Sequence, residues 1–231
     1  MANIYAVRIA PIYDGEMFEH LLRRVSPEKV ERIFGFRRAD DGLRTLYGDL
    51  LLRRVIMMET GIPNEEIAFG YTQYGKPYLK GRTDFHFNLS HSGDWAVAAA
   101  DSAPVGVDVE RIAEVDYDVS EHFFTGEERR NLMNSADKAA YFFTLWSLKE
   151  SYVKLIGKGV SHSLNSITVK PKENFPGDEF VLEVEGKPLD NVFFALYAVH
   201  REYKTALCSV NYPLPKEVVI LPPQQLIQGF L

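Results

Sequence analysis

Val105-Gly-Val-Asp-Val-Glu-Arg111 holds the most chemistry of any segment in the chain. Its three alternating valines make a strand with one face buried, so Gly106, Asp108 and Glu110 share the other face. Carboxylates at i and i+2 of a strand point the same way, close enough to hold one hard cation through oxygen ligands. They also repel each other, so a bare pair on a packed strand is costly without a counter-charge. The competing reading is a solvent-exposed strand face that ends in Glu110-Arg111, and Asp-x-Glu by itself does not choose between the two.

Residues Leu145-Trp-Ser-Leu-Lys-Glu-Ser-Tyr-Val-Lys-Leu-Ile-Gly-Lys-Gly159 form the second such segment. They read as an amphipathic helix with Phe142, Leu145, Trp146, Val153 and Ile156 toward the core, and Trp146, Glu150 and Lys154 in one i, i+4, i+8 row. Two readings stand for that row. Glu150 and Lys154 form an ordinary surface ion pair, or Glu150 is a third carboxylate for the cation and Lys154 a contact to a phosphate or leaving group. Trp146 gives Glu150 an apolar neighbour, which bears on its pKa.

The third segment, Phe85-His-Phe-Asn-Leu-Ser-His-Ser-Gly-Asp-Trp95, is a strand running into a polar turn. Ser90, His91, Ser92 and Gly93 suit an anion, or merely a hairpin. A Ser–His hydrolase does not fit. Neighbouring strand residues face opposite ways, triads are assembled from distant positions, and no nucleophile elbow is present. Lys29, Arg32, Arg44 and Lys76 (in Gly-Lys-Pro77) complete the candidates. Taken singly, each reads as a solvated surface charge.

The elements that must position these residues follow from local signals. A first strand covers 3–10. Ser26 as N-cap and Pro27 at the first helical position open a short helix. A long helix over about 40–60 carries Leu43, Leu46, Tyr47, Leu50, Val55 and Met58 at helical spacing and ends at Gly61. Strands follow near 66–71, 85–89 and 95–100. The order then repeats: a strand at 105–110, the capping box Thr125-Gly-Glu-Glu128, a long helix over about 137–156 ending at Gly157, and strands near 166–170, 179–185, 192–199 and 203–210. This predicts a duplicated α+β unit, with halves 1–103 and 104–231 and a seam at Ala103-Pro104. Pro213, Pro215 and Pro222-Pro223 mark 213–231 as an extended or loosely packed end.

Composition bounds the rest. The chain has 231 residues, 46% of them hydrophobic, 25% charged and 13% aromatic. That is a globular composition, and the aromatics exclude disorder as the main state. A net charge of −6 argues against non-specific nucleic-acid binding, which runs on excess Lys and Arg. Cys208 is the one cysteine, so no intramolecular disulfide forms, and it reads as a small buried hydrophobe. No signal peptide and no membrane-length apolar run is read, which predicts a cytoplasmic protein without membrane contact.

Together these segments resemble the 4′-phosphopantetheinyl transferases of the surfactin-synthetase-activating type. The matching pieces are Ser26-Pro-Glu-Lys29, Arg44-Thr45, Tyr74-Gly-Lys-Pro77, Phe87-Asn-Leu-Ser-His-Ser-Gly93, Gly106-Val-Asp-Val-Glu110, Phe123-Phe124, Trp146-Ser-Leu-Lys-Glu-Ser-Tyr-Val-Lys154 and Gly157-Lys-Gly159. They run from 26 to 159; beyond about 175 the match is mainly in strand content.

The resemblance implies an α+β pseudo-dimer with its site in the cleft between the halves, so that a monomer suffices. It implies transfer of the phosphopantetheine arm of coenzyme A to a serine of an apo acyl or peptidyl carrier protein, releasing adenosine 3′,5′-bisphosphate. Under it, Asp108, Glu110 and Glu150 would hold Mg²⁺ and Glu150 would activate the serine. Lys154 would contact the pyrophosphate. Lys29, Arg32, Arg44 and His91 would surround the 3′-phosphate, while Lys76, Pro77 and Ser90 would flank the adenine side. Arg32 keeps the charge of a lysine at that position but not its contact geometry. The stretch 112–124, with Val115, Tyr117, Val119, Phe123 and Phe124, would receive the carrier protein. A Mg²⁺-dependent hydrolase of nucleotide pyrophosphates, with water replacing the serine, shares these residues. A non-catalytic carrier-binding protein would show a damaged ligand set, and Asp108, Glu110, Glu150 and Lys154 are all present.

Overall fold

A computed structural model describes residues 1–158, 164–171 and 179–231. Gly159, the last residue of one motif, lies outside the described residues. The first half runs β1 (Asn3–Arg8), α1 (Gly15–Leu22), α2 (Pro27–Phe34), α3 (Ala39–Thr60), the hairpin β2 (Phe69–Tyr71) and β3 (Pro77–Leu79), then β4 (His86–Ser92) and β5 (Trp95–Asp101). The second runs β6 (Val105–Arg111), α4 (Ser120–Phe123), α5 (Gly126–Asn134), α6 (Lys138–Ile156), β7 (Ile167–Pro171), β8 (Glu179–Val184), β9 (Lys187–Pro188), β10 (Phe193–Tyr197) and β11 (Tyr203–Ser209). The chain closes with β12 (Val219–Leu221) and α7 (Pro223–Gln228).

Local signals set the helix ends. The Ser26 side chain accepts from the Lys29 amide, with Pro27 behind it. Thr125 and Glu128 form a reciprocal capping box. Gly61 and Gly157 stop the two long helices in the left-handed region, at φ 73° and 67°, where a side chain is disfavoured. Helices α1, α4 and α7 were not anticipated. α1 is capped by Asp14, whose carboxylate accepts from the Glu16 and Met17 amides. It is only eight residues long, too short for a clear helical period.

The halves share a topology. In the first sheet β1 pairs antiparallel with the last strand, β5, which pairs with β4. In the second, β6 pairs antiparallel with β11, which pairs with β10. Leu46, Tyr47, Leu50 and Leu51 of α3 build one core with Val7 of β1 and Ala96, Ala98 and Ala100 of β5. Leu145, Leu148 and Tyr152 of α6 build another with Phe194, Ala206 and Cys208. A third core joins the halves: Val105, Val107 and Val109 of β6 pack with Ile4, Ala6, Trp95, Val97 and Ala99. The valine face of the Asp-x-Glu strand is therefore the seam between the halves. Its other face meets α6 so closely that a Cβ on Gly106 would lie 1.9 Å from the Ser151 carbonyl oxygen.

The tail corrects the expectation of a loose end. β12 pairs parallel to β1, with Leu221 opposite Val7, and Leu221, Leu226 and Phe230 are buried in the first core. Pro222 and Pro223 serve at the start of α7, as its N-cap and first helical residue. In space, the end of the chain belongs to the first half.

Candidate active site

β4 and β6 meet at the junction of the halves through side chains rather than a backbone ladder. Asn88 Oδ1 accepts from the Val107 amide at 2.9 Å. The Ser90 hydroxyl donates to Asp108 Oδ1 at 3.0 Å, and that of Ser92 to Glu110 Oε2 at 2.8 Å. Alternate residues of β4 thus address Val107, Asp108 and Glu110 of β6 in order. Helix α6 adds the counter-charge that the carboxylate strand requires: Lys154 Nζ lies 2.6 Å from Asp108 Oδ1 and 2.8 Å from Ser90 Oγ. Lys154 is thus ion-paired with Asp108 of β6, a partner that neither reading of the Trp146–Glu150–Lys154 row named. Asp108 is 2% exposed, a setting in which a lone carboxylate would be costly.

A cavity of about 630 Å³ opens on this junction. Ser90 and His91 from the first half line it, with Asp108, Glu110, Glu150 and Lys154 from the second. Its remaining wall includes His122, Phe123, Trp146 and Leu164, where the Phe123 and Trp146 rings stand edge to face at 4.8 Å. A smaller cavity of about 280 Å³ lies round the end of α6 and shares Glu150, Val153 and Lys154 with the first; the β2–β3 hairpin brings Lys76 and Pro77 to it.

The remaining basic residues stand outside these walls. Arg44 donates to the Gly93 carbonyl at 3.3 Å and pairs with Asp41. Lys29 pairs with Asp49 at 3.2 Å, and Arg32 sits 6.0 Å above the Phe36 ring. The fields of Arg44 and Arg32 nevertheless reach the cavity. The His91 ring is open to it, yet crowding by protein and then the charges of Lys154, Arg44 and Arg32 push its pKa down from the usual 6.5. Lys76 is not a solvated charge. Its ammonium donates to the carbonyls of Val105 (3.3 Å), Lys154 (2.6 Å) and Leu155 (3.0 Å), so it straps the hairpin to the C-terminal end of α6. Burial lowers its pKa to about 8.

The carboxylates show the strain of close company. Burial and then the Asp108 charge push Glu110 and Glu150 upward. Asp108 Oδ2 is buried with no hydrogen-bond partner. An all-carboxylate donor set with one orphaned oxygen suits a hard divalent cation. Among the described residues no three or more His, Cys, Asp or Glu are gathered as a ready-made metal site, and Lys154 supplies the counter-charge to Asp108; Mg²⁺ is commonly held by one or two carboxylates together with substrate phosphate. The stretch 112–124 borders this region. Val115, Tyr117, Val119 and Phe123 lie half-buried on the second core, and Phe124 is fully within it.

Comparison with known proteins gives the family. Residues 13–103 match the family model for the 4′-phosphopantetheinyl transferase N-terminal region, and residues 104–208 that for the 4′-phosphopantetheinyl transferase superfamily. The chain is 35% identical to 4′-phosphopantetheinyl transferase psf-1 of Bacillus pumilus over 97% of each chain. The chain belongs to the Sfp-type 4′-phosphopantetheinyl transferases. It is 31% identical to Sfp of Bacillus subtilis (strain 168), over 97% of this transferase and 100% of that one. A Xenopus laevis L-aminoadipate-semialdehyde dehydrogenase-phosphopantetheinyl transferase is 35% identical over 63% of this chain and 53% of its own. A solved holo-[acyl-carrier-protein] synthase from Thermotoga maritima covers 46% of the transferase and 61% of its own chain, at TM-score 0.37 and 20% identity. Among the described residues of the transferase, no helix is long and apolar enough to cross a membrane.

Sequence reasoning missed two features of the site. The Asn88 and Ser92 contacts to β6 had a signal, since both lie in step with Ser90. The pairing of Lys149 with Glu128 had none, because 21 residues separate them.

Proposed function

We propose that this transferase moves the 4′-phosphopantetheine arm of coenzyme A onto a serine hydroxyl of an apo acyl or peptidyl carrier protein, with Mg²⁺ as cofactor. The observation that carries the reading is the single cavity in which Ser90 and His91 of one half face Asp108, Glu110, Glu150 and Lys154 of the other. Both walls come from one chain, so a monomer suffices.

The serine oxygen attacks the phosphorus that bears the pantetheine arm. The bond from that phosphorus to the bridging oxygen breaks, and adenosine 3′,5′-bisphosphate leaves. Such transfers depend on positioning and on neutralising charge. Glu150, whose pKa is raised by burial and by Asp108, takes the serine proton more readily than an ordinary carboxylate would. Lys154, held between Ser90 and Asp108, is placed to neutralise the departing phosphate. Asp108, Glu110 and Glu150 would hold Mg²⁺, which supplies charge neutralisation to the pyrophosphate when bound. His91, with Arg44, Arg32 and Lys29 behind it, faces the 3′-phosphate. Lys76 and Pro77, which line the smaller cavity, flank the adenine side, together with Ser90 of the larger one. The stretch 112–124 receives the carrier protein.

Intact-protein mass spectrometry on a panel of apo acyl and peptidyl carrier proteins, incubated with enzyme, coenzyme A and Mg²⁺, tests this. The expected result is a phosphopantetheine mass increase. A folded enzyme that modifies no member of the panel overturns the reading.

A further inference from the structure

Lys149 lies five residues before Lys154 on α6, about 140° round the helix at 100° per residue. Its side chain is 0% exposed and that of its partner Glu128 is 2%. The three protons of its ammonium have three acceptors: Glu128 Oε2 at 2.6 Å, the Phe123 carbonyl at 2.9 Å and the Leu164 carbonyl at 3.0 Å. Glu128 in turn accepts from the Val169 amide at 2.9 Å and the Thr125 amide at 2.8 Å. One buried ion pair thus joins the end of α4, the cap of α5, the middle of α6, Leu164 and the middle of β7.

An apolar pair of equal volume would hold these segments together about as well, because desolvation offsets most of the attraction within a buried ion pair. What such a pair adds is direction, since each acceptor must sit where a proton points. Two of those acceptors, Phe123 and Leu164, line the larger cavity. The Phe123 ring also packs on Trp146. The opposite wall carries Ser90 and His91, so the Phe123–Leu164 wall is the one left for the acceptor. We propose that Lys149 and Glu128 are positioning residues that set this wall, and with it the approach of the acceptor serine to Glu150. The proposal rests on the transferase reading above.

Its test uses Lys149→Met and Glu128→Gln, each made in full-length enzyme carrying Trp95→Phe. The chain has two tryptophans, so emission then reports Trp146 alone. The KM for the carrier protein should rise roughly tenfold, as expected when the binding of one substrate is weakened, while the KM for coenzyme A stays unchanged. Trp146 emission should move to longer wavelength as its wall loosens. Both KM values rising together would overturn the proposal. So would a folded variant with unchanged carrier KM and unmoved emission. If both variants fail to fold, the pair serves stability alone and the proposal is wrong. Should the parent enzyme modify no carrier, the transferase reading fails separately. The fluorescence needs no acceptor and still decides whether the pair sets the wall.

Discussion

Helix α6 carries two lysine–carboxylate pairs with the same 2.6 Å separation and opposite surroundings. Lys149–Glu128 is closed: both side chains are enclosed, and every ammonium proton has an acceptor. Lys154–Asp108 is open: the lysine is 27% exposed on a cavity, and Asp108 keeps an oxygen without a partner. Distance alone therefore says little about the role of an ion pair. A fully satisfied pair resists change and holds geometry, whereas a pair with a spare acceptor and an open side is ready for a ligand.

Breaking the closed pair should have the largest effect on the fold. Lys149→Met leaves Glu128 as a buried, uncompensated charge, and should cost about 3–5 kcal/mol of stability in denaturant unfolding. Breaking the open pair should reverse the pattern. Lys154→Met also leaves a buried carboxylate, Asp108, without its counter-charge, so it should cost some stability, less than Lys149→Met because the open cavity lets water and cations reach the site. Its main effect should be to lower the transfer rate by roughly 10²–10³-fold in a carrier-loading assay. Similar stability losses in both variants would erase the distinction.

A smaller effect concerns Glu110. Its folded pKa is raised above the usual 4.5 by burial and by Asp108, so the folded state binds the proton more tightly than the unfolded chain. In metal-free enzyme this group favours the fold at low pH, and that contribution is lost as pH rises through the folded pKa. Glu110→Gln should stabilise metal-free enzyme by about 1 kcal/mol at neutral pH, with the gain vanishing toward pH 4.5, as followed by thermal melts. Added Mg²⁺ should raise the melting temperature of the parent enzyme but not that of Asp108→Ala.

The smallest effect concerns His91. Burial and the neighbouring cations keep its imidazole neutral in free enzyme, and an arriving phosphate favours the imidazolium. Coenzyme A binding should therefore take up a proton, and affinity should weaken as pH rises through the pKa of the complex. His91→Gln should flatten that dependence at a cost of about 0.5–1 kcal/mol, read by calorimetry in buffers of different ionisation heat.

Much of the fold was legible because its signals are local. Ser26-Pro27, the Thr125–Glu128 box and the stops at Gly61 and Gly157 act within one helical turn, and all four ends fall where the sequence places them. The short helix α1 was missed because two turns hardly establish a period. The tail was misread because its order comes from a parallel partner more than 200 residues away: Val219 opposite Tyr5. In the site, residue types were legible and their company was not. Lys76 looked like a solvated charge until the fold brought three carbonyls to it.

The sequence by itself determined which groups this transferase can bring to a reaction: two carboxylates on one strand face, a Glu and a Lys one turn apart on a helix, and a polar strand end. It also determined a two-part α+β order, since capping and periodicity need only near neighbours. Only the tertiary structure decided that β4 reads β6 through its side chains, that Lys154 answers Asp108, and that Lys149 is enclosed. Those outcomes depend on burial and on partners distant in the chain. Whether a charge is solvated, satisfied or left open is a property of what packs around it, not of its neighbours in sequence.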